Sequence, residues 1–300
     1  MTTIDSRITE ASKRWAGLTF KKKGNNEASS ACPFCGQGKD RFLVFADGGY
    51  WCRQCNTKGW LDDDTPRQQP TREQILERRI AEIERKQQEH DKRITNLEIM
   101  HRSQDHIRYH KNIERSIEYW FNEGIYEGST NEYLLGYCDA CPAYRESPSY
   151  TIPVINRGAL ENIRHRLAKP NGSGKYRPHM AGLGNSLFNV DLLDNAKERI
   201  LIVEGEKKSI VLAQAGFANV GITGKRSFST SWVPWFDHIK EVVVCLDPDA
   251  TESAHKLAAI FGERARVATT PVKIDDAIVK YGASESDIEA MIGWARVANA

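Results

Sequence analysis

The sequence predicts an α/β fold: a Rossmann-like parallel sheet in the C-terminal third, preceded by an N-terminal β ribbon and a helical spacer. Three observations carry that expectation. Four cysteines are grouped as C-x2-C, sixteen residues, C-x2-C. A stretch of helical spacing runs into residues 84–93, which hold no apolar side chain. Beyond Arg199, short apolar runs end in acidic residues and lead into helical patterns. The 300 residues are 40% hydrophobic and 27% charged, enough to bury a core. Forty-two Lys/Arg against 40 Asp/Glu leave a net charge of +2, which selects no acidic partner. No apolar run approaches the roughly 18 residues of a membrane span. The first residues lack the apolar stretch of a secretion signal. A soluble, cytoplasmic protein with no membrane partner is expected.

The ribbon comes first. Cys32, Cys35, Cys52 and Cys55 have the spacing of a zinc ribbon, in which two tight turns converge four thiolates on one structural ion. The insert reads as a hairpin, Arg41 to Phe45 and Tyr50 to Cys52, turning at Asp47-Gly48-Gly49. Residues 1–61 carry a local net charge of +5. Phe42, Phe45, Tyr50 and Trp51 interleave with it, either as a single-strand-binding face or as the ribbon's own small core. Cys138 and Cys141 form a second C-x-x-C, read as partly buried loop cysteines rather than a redox pair, and Cys245 as core.

A polar linker with two prolines leads to the spacer, capped by Thr71 with Gln74 in capping-box order. Ile75, Leu76, Ile80 and Ile83 make an apolar stripe, and the polar stretch after it is a solvated or frayed spacer. About 25 helical residues would span roughly 37 Å. Residues 94–135 read as helical again, with His106 and His110 as surface histidines. Between Arg157 and His179 lie six Lys/Arg and one acid. Arg164 and Arg166 share one face of a predicted strand, and Tyr176 follows Lys175, which suits a groove that tracks phosphates.

Then come the carboxylates. Ile200 to Val203 is a buried strand ending in Glu204-Gly205, and Val242 to Leu246 ends in Asp247-Pro248-Asp249. Asp275 and Asp276 follow a third strand near Ala265–Ala268. Ligands of open parallel sheets bind at the strands' carboxyl ends, so these acids are expected to converge there. Clustered carboxylates need cations between them, which points to Mg2+ or Mn2+ and to phosphoryl transfer beside the basic groove.

Ile200 to Glu206 followed by Leu246-Asp247-Pro248-Asp249 resembles the TOPRIM signature of bacterial-type primases, topoisomerases and certain nucleases. The four-Cys ribbon with Tyr50-Trp51-Cys52 resembles the zinc-binding domain of bacterial and phage primases. Leu135-Gly136-Tyr137, Ile152 to Ile155, Arg164-His165-Arg166 and Lys175-Tyr176 occur in the order of that family's polymerase-core motifs. The resemblance spans about residues 30–285 and is closest to the primase half of phage primase–helicases. It implies a zinc ribbon over 1–61, a linker and charged spacer over 62–105, the N-terminal part of a polymerase core over 106–196, and a TOPRIM subdomain over 197–300.

The resemblance further implies a DNA-dependent RNA polymerase making short primers. Glu204, Asp247 and Asp249 would hold Mg2+ or Mn2+, with Asp275 or Asp276 in the third acidic motif. Arg164, Arg166, Lys175 and Tyr176, with Lys207 and Lys208, would hold template or nucleotide. Expected partners are single-stranded DNA, ribonucleoside triphosphates and a replicative helicase in trans, in a bacterial host's cytoplasm if the chain is phage-encoded. Lys208 stands where many members carry Asp, and Glu252 where Gly is common. Residues 284–298 offer one last helix and no helicase domain. Neither Gly172 to Lys175 nor Gly224 to Arg226 completes a P-loop. The alternatives are a TOPRIM nuclease and a non-catalytic zinc-dependent single-strand-binding accessory.

Overall fold

Aromatic packing, more than length, makes the N-terminal ribbon fold. In the computed structural model, residues 3–62, 72–141, 147–170 and 175–297 are described. The Thr71 cap, most of the linker and Gly172 to Gly174 lie outside them. The chain divides into two units, Met1–Ile80 and Ala81–Ala300. In the first, α1 (Ile4–Arg14) precedes β1 (Lys21–Lys22), β2 (Glu27–Ser30), β3 (Phe42–Phe45), β4 (Gly49–Cys52) and β5 (Lys58–Trp60), an antiparallel sheet in chain order. The expected hairpin is β3–β4, with Phe42 opposite Cys52 and Val44 opposite Tyr50. Its turn is held by Asp47 Oδ1, which accepts from the Gly49 N–H at 2.9 Å.

Phe42 is fully buried with Tyr50, Val44 and Ala11, and Trp15 and Phe20 pack against them. Trp15 meets Phe42 edge-on, at a centroid distance of 4.9 Å. Phe42 and Tyr50 are therefore the ribbon's core rather than a binding face. Trp51 points the other way, exposed, and donates from Nε1 to Asn56 Oδ1 at 2.9 Å.

Helix α2 (Arg72–Ser103) is continuous through the stretch without apolar residues. Ion pairs one turn apart, Lys86–Glu82 at 2.8 Å and Arg85–Glu89 at 3.1 Å, support it there. Ile75, Leu76, Ile80 and Ile83 are all exposed. Beyond Ser103 the expected helical stretch continues as short pieces: α3 (Asp105–His110), α4 (Ile117–Asn122) and α5 (Glu127–Glu132). His106 and His110 are half-buried, not surface residues. His110 Nδ1 lies 2.7 Å from the Leu135 carbonyl and ties α3 to the chain ahead of the next strand.

That strand opens an antiparallel sheet of β6 (Gly136–Cys141), β7 (Ser147–Asn156), β8 (Ala159–Leu167) and β9 (Tyr176–Pro178). Cys138 and Cys141 are buried in β6 rather than placed on a loop. Gly136 lies so close to α3 that a Cβ there would come within 2.4 Å of the Tyr109 backbone. Behind β8 runs a buried hydrogen-bond chain. Ser149 Oγ is 2.8 Å from His165 Nδ1, His165 Nε2 is 3.0 Å from His179 Nδ1, and His179 Nε2 is 3.1 Å from Asp105 Oδ2. With Ser149 donating and both imidazoles protonated at Nε2, every link is satisfied by neutral rings. Burial holds the His165 imidazole down at about 3, so it is neutral near pH 7.

Then α6 (Val190–Asn195) leads into β10 (Arg199–Glu204), α7 (Glu206–Gln214), β11 (Asn219–Ile222) and β12 (Glu241–Cys245). They are followed by α8 (Thr251–Ala259), β13 (Ala265–Val267), α9 (Ile274–Val279), α10 (Glu285–Gly293) and β14 (Arg296–Val297). The sheet order is β11-β10-β12-β13-β14, parallel except for the final antiparallel strand. Alternation assigns its two faces. Ile200, Ile202, Val242 and Val244 face α6 and α8, while Leu201, Val203, Val243 and Cys245 face α7, α9 and α10. Helix α7 also packs Ile210 and Val211 against Ile152, Val154 and Trp120, so the two sheets of this unit share a core.

Candidate active site

Parallel pairing of β10 with β12, Val203 beside Cys245, brings Glu204 and Asp247 out at one carboxyl edge. Gly205, with φ 96°, turns the chain from β10 into α7 in a region closed to most L-residues. Across from that edge, β8 presents Arg164 and Arg166 on one face, with Tyr176 of β9 directly opposite Arg166. A cavity of about 480 Å³ lies between them. It is lined by Glu204, Asp247, Asp275, Asp276, Arg164, Arg166, Lys175, Tyr176, Lys207 and Lys208, so ten of the expected residues meet in one place. Asp249 does not line it; its exposed side chain lies 3.4 Å from Lys225 Nζ on the turn after β12.

Charge in the cavity is matched by protein cations. Lys208 Nζ donates to Asp247 Oδ1, and Lys273 Nζ lies 2.7 Å from Asp247 Oδ2. Lys207 Nζ is 3.1 Å from Asp275 Oδ2 and also bonds Glu123. Arg164 Nε lies 3.1 Å from Glu206 Oε1, but at an angle too poor for a hydrogen bond. Arg166 stacks its guanidinium over Tyr119, 5.1 Å from the ring centre, and Tyr119 is itself stacked on Tyr150 at 3.6 Å. Burial, with Asp247 nearby, raises the Glu204 carboxyl above the usual range. Burial pushes Asp247 the same way, but hydrogen bonds from Lys208 and Lys273 outweigh it and hold that carboxyl low.

Sequence reasoning missed Lys273, Glu123 and Lys280 in this lining. Lys273, two residues before Asp275, was within reach of a motif reading. Glu123, at the end of α4, carried no signal. The premise that buried carboxylates need cations between them holds, but lysines supply them, so charge balance alone does not demand a metal.

The ribbon behaves differently. Cys32, Cys35, Cys52 and Cys55 bring all four Sγ within 4.8 Å of one another, the one group of three or more His, Cys, Asp or Glu among the described residues that does so. Cys32 to Cys55 is 3.8 Å and Cys35 to Cys52 is 4.0 Å. Thiolates at about 2.3 Å from a tetrahedral centre stand about 3.8 Å apart, so the set fits zinc. Backbone N–H groups of Phe34 and Gln54 point at Cys32 Sγ and Cys52 Sγ, at 3.4 and 3.3 Å, as second partners for thiolates.

Searches of protein-family models match none to this chain. Nor does any curated protein match it. Solved structures do. The zinc-binding and RNA polymerase domains of the Aquifex aeolicus primase cover 98% of this chain and 85% of their own, with a TM-score of 0.52 at 15% identity. The fold is that of a bacterial-type primase. The DnaG primase catalytic domain bound to single-stranded DNA matches 70% of this chain and 84% of its own, with a TM-score of 0.54 at 15% identity. The E. coli primase catalytic core matches 64% and 78%, with a TM-score of 0.52 at 14% identity. The primase fold accounts for the ribbon, the antiparallel sheet and the TOPRIM-type parallel sheet together.

Proposed function

We propose that this chain is a primase, a metal-dependent RNA polymerase that joins ribonucleotides on single-stranded DNA. The observation that carries the reading is the shared cavity, in which acids of a parallel sheet's carboxyl edge face Arg164, Arg166 and Lys175 of a separate sheet. Glu204 and Asp247 would hold Mg2+ or Mn2+, with Asp249, Asp275 and Asp276 as further acids at that edge. The fit rests on donor chemistry: carboxylate oxygens suit hard cations, and buried Asp275 Oδ1 accepts no hydrogen bond. A bound cation there would favour the ionised attacking 3′-hydroxyl and offset charge on the leaving pyrophosphate.

The chain's own residues do the positioning. Arg164 and Arg166 hold triphosphate or template phosphates, Arg166 pre-oriented by Tyr119. Lys175 and Tyr176 close the groove against a base or sugar. The four-cysteine ribbon, kept by zinc, reads the single strand with exposed Trp51 and its basic surface. A phage or mobile-element primase acting with a helicase in trans, in a bacterial cytoplasm, is the setting that best fits the resemblance. Among the described residues no helix is long and apolar enough to cross a membrane.

A second reading, a non-catalytic zinc-dependent single-strand-binding accessory, is favoured by one observation: both Asp247 oxygens already have lysine partners. Primer synthesis on single-stranded DNA with labelled ribonucleotides and Mg2+ or Mn2+ decides between them, comparing the wild type with Asp247→Asn. Short RNA that needs template and Asp247 establishes the primase. Degraded template supports a TOPRIM nuclease, and binding with neither activity supports the accessory.

A further inference from the structure

Six carboxylates and seven basic side chains line the cavity, so its wall is already slightly positive when all are ionised. The two lysines on Asp247 are not equivalent. The Lys273 side chain is 52% exposed and can swing into water. The Lys208 side chain is 6% exposed, touches Asp247 Oδ1 and lies 4.0 Å from Asp275 Oδ1. Its ammonium thus stands between two acids, where a cation shared by them would have to sit. Driving it out would strand a buried charge, which is strongly unfavourable. Asp275, 3% exposed and lining the same cavity, leaves Oδ1 without a hydrogen bond, so this part of the wall is built for a positive group. Glu204 has no ion pair among the described residues and is the open acceptor.

We propose that Lys208 takes the place of one metal ion, so that the cavity accepts a single divalent cation. That cation binds between Glu204 and Asp247 Oδ2 and displaces the exposed Lys273, while Lys208 stays as the fixed counter-charge to Asp247 and Asp275. The inference rests on the metal-dependent reading above and sharpens it to a stoichiometry.

The test is Mn2+ binding to the full, zinc-loaded chain, followed by electron paramagnetic resonance of free and bound Mn2+. One Mn2+ per wild-type chain is expected, with no coupling between ions. Asp247→Asn should lose it, and Lys273→Ala should bind it more tightly because no ion pair has to open. Lys208→Met should take up a second Mn2+, giving a coupled pair, whereas Lys208→Arg should stay at one. Two Mn2+ in the wild type overturn the role of Lys208 and leave the metal-dependent reading standing. None in the wild type overturns both. A Lys208→Met chain that stays at one also overturns it. If that variant does not fold, as judged by circular dichroism, Lys208→Gln answers the same question, and the wild-type count decides in either case.

Discussion

The four thiols of the ribbon face one another within 4.8 Å, whereas Asp247 and Asp275 at the parallel sheet's edge face lysines. Both are clusters of would-be anions, yet they solve repulsion in different ways. The ribbon has a small aromatic core and four converging thiols that fit an ion able to hold its loops; small domains of this size commonly need such a staple. The carboxylate edge is anchored by β10 and β12, covered on both faces, and its charges are balanced before any ligand arrives. On the metal-dependent reading proposed above, the contrast separates an ion that makes a fold from one that a finished fold would receive.

The largest effect should come from the ribbon. Cys52→Ser removes a buried ligand, and structural zinc in small domains is worth about 10–16 kcal/mol of apparent binding energy. Zinc content by elemental analysis should fall from one per chain to none, and the β signal of the ribbon should go with it. Retained zinc would break the comparison. Next is the carboxylate edge. Asp247→Ala leaves buried Lys208 with only the longer contact to Asp275 Oδ1, at 4.0 Å, and an expected loss of up to about 3–5 kcal/mol in denaturant unfolding, with Asp247→Asn a smaller one. Chelation of divalent cations, by contrast, should leave that unit's melting temperature nearly unchanged.

A third prediction concerns pH. Burial holds His165 neutral in the native state, down at about 3, while the unfolded chain protonates near 6.5. Below pH 6.5 the unfolded chain therefore gains a proton that the native state refuses, and stability is lost progressively as pH falls from 6.5 towards 3. Urea midpoints measured across that window should drop, and His165→Gln should flatten the slope. Arg166→Ala should act on function rather than stability, raising the KM for ribonucleotide about tenfold, as the loss of one charged phosphate contact would. The smallest effect belongs to the exposed pair on α2. Glu89→Ala should change stability by no more than about 0.5 kcal/mol.

Much of this was legible in the sequence, for physical reasons that differ by element. The cysteine spacing and hairpin turn are local, and the runs Ile200 to Val203 and Val242 to Cys245 are long enough to mark buried strands. Strand β11, Asn219–Ile222, was missed because four residues with a central glycine carry no periodicity. Strand β14 is two residues long and follows the last helix closely. At the site, the acids could be placed by one rule about strand ends. Their partners could not: Lys207 and Lys208 were expected to face phosphate, and the structure places them on Glu123, Asp247 and Asp275. Such pairings depend on how α7, α9 and the strands pack, which no local pattern encodes. The helical reading of 94–135 holds, but as several short pieces whose ends no periodicity marks; the first break falls at Gln104, at φ 47°.

From Ile163 to Leu167, past a bulge at Glu161, strand β8 alternates on a period of two: Arg164 and Arg166 look into the cavity, while Ile163, His165 and Leu167 are buried behind it. Evolution can therefore vary this strand by substitution far more readily than by insertion. One extra residue after Asn162 would send both guanidinium groups into the apolar side and bring the imidazole to the groove. Lineages that gain or lose residues in this part of the chain are expected to do so outside Ile163 to Leu167, as the bulge at Glu161 already does, in steps that leave that frame untouched.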